Sequence, residues 1–346
     1  FSDCMTSILL VFTGGTIGST TVNGTIDTSK RQGFKLLELY KKNYSNSQEF
    51  NFTTIQPIQL LSENLHPSNW ETLIQAIEAE NISQYDGIIV THGTDTLAFT
   101  AAALGLYFNA IKIPLLLVSS DYPLDNPKAN GLDNFNCALE FILQRAEKGA
   151  FVSYKNPNGL CSIHIATRLA SCLQLSGDFI SVQHKAYLKF EANTFQQLSY
   201  IDTSTCQATQ LNPVFSTKVL LIKPYPGLDY SHFQLNHIDA VIHDLYHSGT
   251  ACATLDWGKN HSLSAFIEKC HKNDITCYMA PAIKNTEAYE STRTLVEQGA
   301  KMIWNMSIES AYVKLLLGLS NFIDNSAIDQ FLSADIALEH IDNQSN

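Results

Sequence analysis

Strand-like and helix-like hydrophobic spacing alternate along the first half of the chain. Short apolar, largely β-branched or leucine-rich runs at residues 8–12, 87–90, 113–118 and 150–154 have the length of buried strands. Between them, residues 69–80, 95–109 and 134–147 place apolar side chains three and four positions apart, the spacing of amphipathic helices. This alternation predicts βαβ units and a mostly parallel sheet covered by helices on both faces. Residues 191–216 are rich in Thr, Gln, Ser and Asn without a sustained period, and are expected to form a linker. The alternation then resumes, with strands at 219–223, 240–244 and 276–279 and helices at 262–272, 292–299, 307–317 and 327–334. The expected architecture is therefore α/β with two domains. The larger N-terminal one (1–190) has a mostly parallel sheet with flanking helices, and a smaller α/β domain (217–346) follows the linker (191–216).

Two threonine motifs sit where predicted strands end. Thr13-Gly14-Gly15-Thr16-Ile17-Gly18 follows the run 8–12, and Thr91-His92-Gly93-Thr94-Asp95-Thr96 follows 87–90. Open α/β sheets build their sites beyond the carboxyl ends of strands. The first motif lacks both the GxGxxG spacing of a dinucleotide fold and the Gly-Lys-Ser/Thr of a P-loop. Hydroxyl nucleophile chemistry fits it better, with Thr16 attacking and nearby backbone N–H groups stabilising an oxyanion. Each motif also has a plainer reading, as a glycine turn that needs φ > 0 and as a Thr-Asp helix cap. Capping and catalysis are compatible, and two such motifs at strand ends favour the chemical reading over coincidence.

Composition narrows the class further. The chain has 346 residues, 45% hydrophobic and 16% charged, enough for two soluble domains with cores of their own. A formal net charge of −11, with no basic run longer than Lys41-Lys42 or Lys30-Arg31, argues against a nucleic-acid surface. No apolar run approaches the ~18 to 20 residues of a membrane span. The chain opens Phe1-Ser2-Asp3-Cys4-Met5, with no basic start and no signal-type apolar stretch. An intact secretory signal is thus not expected; one already removed stays open, since residue 1 is not Met. Eight scattered cysteines without a CxxC pair suit thiols in a reducing compartment better than a disulfide framework. His243 and His247 echo HExxH, but on a strand they would stand about 13 Å apart and could not share one metal. His92 is expected to be packed and hydrogen-bonded rather than a base, and no GxSxG elbow is present.

With both threonine motifs in view, the chain resembles the bacterial-type L-asparaginase family, as a divergent member of the cytoplasmic type I kind. That family also includes the asparaginase-like subunit of archaeal tRNA-dependent amidotransferases. The resemblance implies that Thr16 is the primary nucleophile, and that Thr94 and Asp95 are the second threonine and the substrate-binding aspartate. Ser62-Glu63-Asn64, ahead of Pro67 and Trp70, resembles the loop that grips the substrate's α-carboxylate and α-amino group. Ser119-Ser120-Asp121-Tyr122-Pro123 resembles the loop closing over the amide, which brings Ser120 and Asp121 into the substrate-binding set. Asn130-Gly131 and Asn134 fit the start of the next helix, and Ala288-Tyr289-Glu290-Ser291-Thr292 and Met306-Ser307-Ile308-Glu309-Ser310-Ala311 resemble later family motifs.

The implied activity is hydrolysis of the side-chain amide of asparagine, or a related amino acid amide, to the acid and ammonia. It implies no metal or organic cofactor, no nucleic-acid or membrane partner, a homodimer or homotetramer, and a cytoplasmic location. Two departures bear on turnover. Thr25 stands where a hinge tyrosine is expected, and Arg168 stands near the place of a catalytic lysine. Arginine stays protonated and offers only donors, whereas a desolvated lysine can lose its proton. Arg168 would therefore support Thr16, Thr94 and Asp95 less well, and slow hydrolysis is expected. Asp121 also adds negative charge where an amide or apolar side chain is usual. The rival readings are a binding protein of the same fold with little turnover, and an ammonia-producing subunit acting on aminoacyl-tRNA with a partner. The acidic charge counts against the latter.

Overall fold

A computed structural model describes residues 4–18, 20–22, 25–27, 33–45 and 49–341. The chain divides into two compact units, residues 1–213 and 214–346, each of which is α/β. The first is built on an eight-stranded sheet in the order β10-β9-β8-β7-β6-β5-β1-β4. Its parallel part comprises β1 (Thr6–Val11), β4 (Phe50–Ile55), β5 (Gly87–Thr91), β6 (Pro114–Val118) and β7 (Gly149–Lys155). β5 and β6 are buried at every residue, which is why they read as unbroken apolar runs. Three antiparallel strands extend the sheet: β8 (Cys161–Ile165), β9 (Leu188–Glu191) and β10 (Thr194–Gln197). The predicted linker 191–216 thus holds the last strand of this sheet. A small hairpin of β2 (Thr20–Val22) and β3 (Thr25–Asp27) stands apart from it.

Helices α1 (Gly33–Asn43), α2 (Pro67–Ala79), α3 (Leu97–Tyr107) and α4 (Gly131–Gln144) connect the parallel strands. The start of α2 shows how local sequence fixes an element. Pro67 occupies the first turn, where its missing N–H costs nothing, and His66 caps the helix. The His66 ring accepts from Ser68 N while Asn69 Oδ1 accepts from His66 N at 2.8 Å, a reciprocal capping box. Trp70, Leu73, Ile74 and Ile77 then present one buried face.

β1 lies between β4 and β5. The chain leaves β1 towards one edge of the sheet and leaves β5 towards the other, so a crevice opens beyond the carboxyl ends of these two strands. Both threonine motifs lie at that switch point.

The second unit has a four-stranded parallel sheet in the order β11 (Val219–Ile222), β12 (Ala240–Asp244), β13 (Thr276–Ala282) and β14 (Lys301–Trp304). On one face, Val241, Cys277 and Met279 pack with Phe266 and Ile267 of α5 (Leu263–Lys272) and Leu295 of α6 (Thr286–Glu297). On the other, Ile242, Tyr278 and Ile303 pack with Leu315 of α7 (Ile308–Asn321) and Ile328 of α8 (Asn325–Ser333). Asn285 starts α6 by accepting from Ala288 N at 2.7 Å, so this helix begins six residues before the predicted 292. Lys314 and Glu339 form an ion pair at 2.7 Å with both side chains fully buried. Among the described residues no helix is long and apolar enough to cross a membrane.

Candidate active site

Backbone pairing continues past the end of β1 and holds the first motif in place. Leu60 N donates to Thr13 O at 3.0 Å, Gly15 N donates to Leu60 O at 3.1 Å, and Gly14 bridges Leu60 in parallel. The Thr13 hydroxyl donates to the Thr91 carbonyl at 2.6 Å in a buried contact, so one motif is tied to the other. Gly15 has φ +80°, and a Cβ there would lie 2.5 Å from Gly93 N; a Cβ on Gly93 would lie 2.5 Å from Ser62 Oγ. These two glycines let three loops meet at van der Waals distance, which brings the first motif, the second motif and Ser62-Glu63 together. Gly15→Ala is therefore expected to cost ~2 kcal/mol or more, since the new methyl meets backbone and the conformation is left-handed. Urea unfolding would check this, and a loss under about 0.5 kcal/mol, the scale of an ordinary surface substitution, would mean that the loops separate freely.

Thr16 opens the short 3₁₀ turn Thr16–Gly18 and is half-buried beside this junction. Thr94 is also half-buried, and its carbonyl accepts from Leu97 N at 3.4 Å where α3 begins. Asp95 N donates to Ser62 Oγ at 3.1 Å, and the Thr96 hydroxyl donates to Ser62 O at 2.9 Å. Ser62 is buried by these contacts, while Glu63 beside it and Asp95 opposite are exposed. The carboxyls of Asp95 and Glu63 face one another. Desolvation, followed by the Glu63 charge, pushes the Asp95 carboxyl above the usual carboxylate range. Two adjacent carboxyls of this kind offer a place for a cationic group.

The second motif is braced from below by a buried polar chain. Trp70 Nε1 donates to Thr100 Oγ1 at 3.0 Å, and Thr100 Oγ1 contacts His92 Nε2 at 2.8 Å. His92 Nδ1 meets the Gly93 carbonyl at 2.7 Å. A carbonyl can only accept, so Nδ1 carries the proton, Nε2 accepts from Thr100, and the ring is neutral. Burial agrees, taking the His92 pKa down to about 4. His92 is thus a packed, positioning histidine. The periodic placement of Trp70 on α2 and Thr100 on α3 is the only sequence signal for these contacts.

The loop after β6 uses its own polar groups to close on itself. Ser120 Oγ donates to the Tyr122 carbonyl at 2.5 Å. Asp121 and Asn130 exchange bonds, with Asp121 N to Asn130 Oδ1 at 2.9 Å and Asn130 N to Asp121 Oδ1 at 3.0 Å. Asn134 Nδ2 donates to Ser119 O at 2.9 Å and anchors the loop to α4. The Ser120 hydroxyl and Asp121 Oδ1 are therefore already engaged in structure.

Arg168 closes the turn Ala166–Arg168 that follows β8, and the Thr167 methyl packs where α3 offers Gly105. The chain then folds back on itself, with Ala170 N to Ile180 O and Leu173 N to Asp178 O, both at 3.0 Å. This turn carries Cys172, whose thiol is pushed up by burial and by the carboxylates of Asp178 and Asp95. Cys172 thus stands within reach of the charges of both Asp178 and Asp95, and no motif or period marks it. Thr25 lies in β3, and its side chain lies outside the described residues.

The histidine pair of the second unit is not arranged for a metal. His243 Nδ1 meets the Asp244 carbonyl at 2.5 Å and Nε2 meets Tyr230 OH at 2.7 Å, so both ring nitrogens are engaged. Among the described residues no group of three or more His, Cys, Asp or Glu side chains is placed to hold a metal ion.

Known proteins resemble this chain at low identity. The chain is 28% identical over 298 residues to a glutamyl-tRNA(Gln) amidotransferase subunit from Methanococcus maripaludis, covering 82% of this chain and 68% of that protein. It is 28% identical over 293 residues to the corresponding subunit from Methanosarcina barkeri, covering 81% and 66%. In three dimensions it matches the thermostable L-asparaginase of Thermococcus kodakarensis with a TM-score of 0.80 at 22% identity, over 97% of this chain and 100% of that one. L-asparaginase I of Vibrio cholerae gives 0.79 at 19%, over 98% and 100%. These likenesses carry the fold. The sequence profile described as asparaginase, N-terminal, matches residues 7–207, more than half of the chain and the whole of the switch-point crevice. With both threonine motifs meeting at that crevice, the chain belongs to the asparaginase family of amidohydrolases.

Proposed function

We propose that this protein hydrolyses the side-chain amide of asparagine, or of a closely related amino acid, to the acid and ammonia. The observation that carries the reading is the meeting of Thr16, Thr94-Asp95 and Ser62-Glu63 at one switch point through the Gly15 and Gly93 contacts. Thr16 attacks the carboxamide carbon, ammonia leaves, and water releases the acid from the acyl-enzyme. Thr94, Asp95 and Arg168 give polar support. Ser62, Glu63 and Asp95 hold the amino acid head group, and the loop with Ser120 and Asp121 closes the amide side. An ammonia-release assay with Asn, Gln and shorter amides tests the activity. Absence of turnover together with tight aspartate binding would favour the binding-protein reading.

The acid pair makes a separate prediction. Aspartate should bind more tightly than succinate by the worth of a charge-assisted hydrogen bond, ~1.5 to 3 kcal/mol. Burial and Glu63 raise the Asp95 carboxyl, and a bound ammonium would favour its ionised form. Affinity should therefore increase as pH rises through the Asp95 titration, with protons released on binding in that range. Calorimetry in buffers of different ionisation enthalpy reads that release, and equal affinity for the two ligands would remove the role of Asp95 and Glu63.

A second reading rests on the relatives named as glutamyl-tRNA(Gln) amidotransferase subunits. In that case the ammonia would pass to a partner protein, and the chain would copurify with one. In the first reading it assembles with copies of itself as a dimer or tetramer, which sedimentation measures. The free state of all eight thiols supports a cytoplasmic setting.

A further inference from the structure

The buried Lys314 and Glu339 lie at the centre of a cluster that the proposed reaction does not use. Lys314, on α7, sends its ammonium to three acceptors: Leu332 O at 3.3 Å, Ala334 O at 2.5 Å and Glu339 Oε1 at 2.7 Å. Its charge also sits 5.3 Å from the centre of the Phe331 ring of α8. Glu339 accepts in addition from Ile336 N at 3.0 Å and Ala337 N at 2.7 Å. Residues 334–341 are thereby folded down over the lysine. The segment ends on Ile341 N, which donates to Asn305 O at 2.8 Å. Asn305 in turn holds the loop before α6, with its N–H on Ala282 O and its Oδ1 accepting from Lys284 N, both at 2.8 Å.

One member of the cluster is out of balance. The Asp335 carboxyl faces that of Glu339 and takes the backbone N–H of His340, yet its Oδ1 is buried without a donor. Two carboxylates in contact beside a single ammonium leave one negative charge unmatched, and a bare Oδ1 cannot be solvated. A proton on Asp335, donated to Glu339, resolves both problems. Among the described residues, the other titratable group facing the cluster is His340, whose Nε2 meets Leu332 O at 3.2 Å. Burial, then Lys314, holds its imidazole below the usual value, so it adds no positive charge near neutrality. The Lys301 and Asp329 pair, at 2.8 Å, satisfies itself nearby.

We propose that residues 334–341 form a proton-operated clamp, held shut by the proton that Asp335 shares with Glu339 and loosened when that proton leaves. Burial and the Glu339 charge lift the Asp335 carboxyl to about 7. For Glu339 burial acts against the charge, but Lys314 overrides it and keeps the carboxyl low. In the open segment Asp335 would titrate near an ordinary ~4, so opening releases a proton across the interval from ~4 to 7. The clamp is tightest in acid, weakens as pH rises through that interval, and is weakest and constant above it. Its output is the hold on Asn305, and through it on the loop that starts α6.

Hydrogen exchange of the full chain between pH 5 and 8, corrected for intrinsic rates, reads the opening of amides 334–341. The opening constant should rise about tenfold per pH unit up to about 7 and then level. Asp335→Asn keeps a donor to Glu339 but cannot ionise, so its opening should be independent of pH. A flat wild-type profile, or the same slope in Asp335→Asn, would overturn the clamp. Should that variant fail to fold, carboxyl-carbon NMR titration of Asp335 in the wild-type chain decides. A midpoint well above the other aspartates supports the proposal, and one near 4 ends it.

Discussion

Thr16→Ala is expected to abolish amide hydrolysis while the protein stays folded. Loss of general acid-base assistance costs ~10² to 10⁴ in rate, and removing a nucleophile outright can cost ~10⁶. A fall in kcat of at least about 10⁴ is therefore the expected result. Stability should change by no more than about 0.5 to 1 kcal/mol, because the motif is held by backbone pairing with Leu60 and by the Thr13 hydroxyl rather than by Thr16 alone. Thr94→Val should be nearly as damaging. Retention of most of the wild-type rate in Thr16→Ala would remove Thr16 from the chemistry and turn the assignment to Thr94.

The largest effect on stability is expected from Lys314→Met. The ammonium is wholly buried and serves Glu339 and two backbone carbonyls at once. Its removal strands a carboxylate in the interior, and breaking a buried pair in this way costs ~3 to 5 kcal/mol. Replacing both partners by apolar residues, Lys314→Met with Glu339→Leu, should recover much of the loss, because neither charge is then left unpaired. Denaturant unfolding of wild type, single and double variants gives all three values. A loss below about 1 kcal/mol in the single variant would mean that Glu339 is neutral or hydrated, contrary to the buried ion pair.

Legibility from the sequence follows burial. β1, β5, β6 and β7 are covered on both faces, and their apolar runs stand out at residues 8–12, 87–90, 113–118 and 150–154. β4 does not stand out: only Phe50 of its six residues is buried, and its place at the sheet edge removes the need for an apolar run. α1 escapes the pattern because its buried residues Leu36, Leu37 and Tyr40 are interleaved with Lys35, Glu38 and Lys41 over a short span. β9 and β10 carry Lys189, Glu191, Gln196 and Gln197, so a polar hairpin reads as linker. The same logic holds at the site. Thr16, Ser62, Glu63, Thr94 and Asp95 belong to short contiguous motifs that the sequence displays directly. Cys172 comes within reach of Asp95 only because residues 169–181 fold back on themselves, a tertiary event with no local pattern.

The position of β1 between β4 and β5 also sets a timetable for synthesis. The Thr13 hydroxyl waits for the Thr91 carbonyl, 78 residues further along the chain. At ~5 to 20 residues per second, the first threonine motif leaves the ribosome roughly 4 to 16 s before its partner can be made. For the first part of that interval the β1 segment has neither neighbour, and until β5 is made it can pair only with β4, so its other edge is open to chaperones or to misplaced strands. Any ligand that needs both loops can act only after this pairing is complete, so product or substrate can stabilise the finished domain but cannot template its first strand.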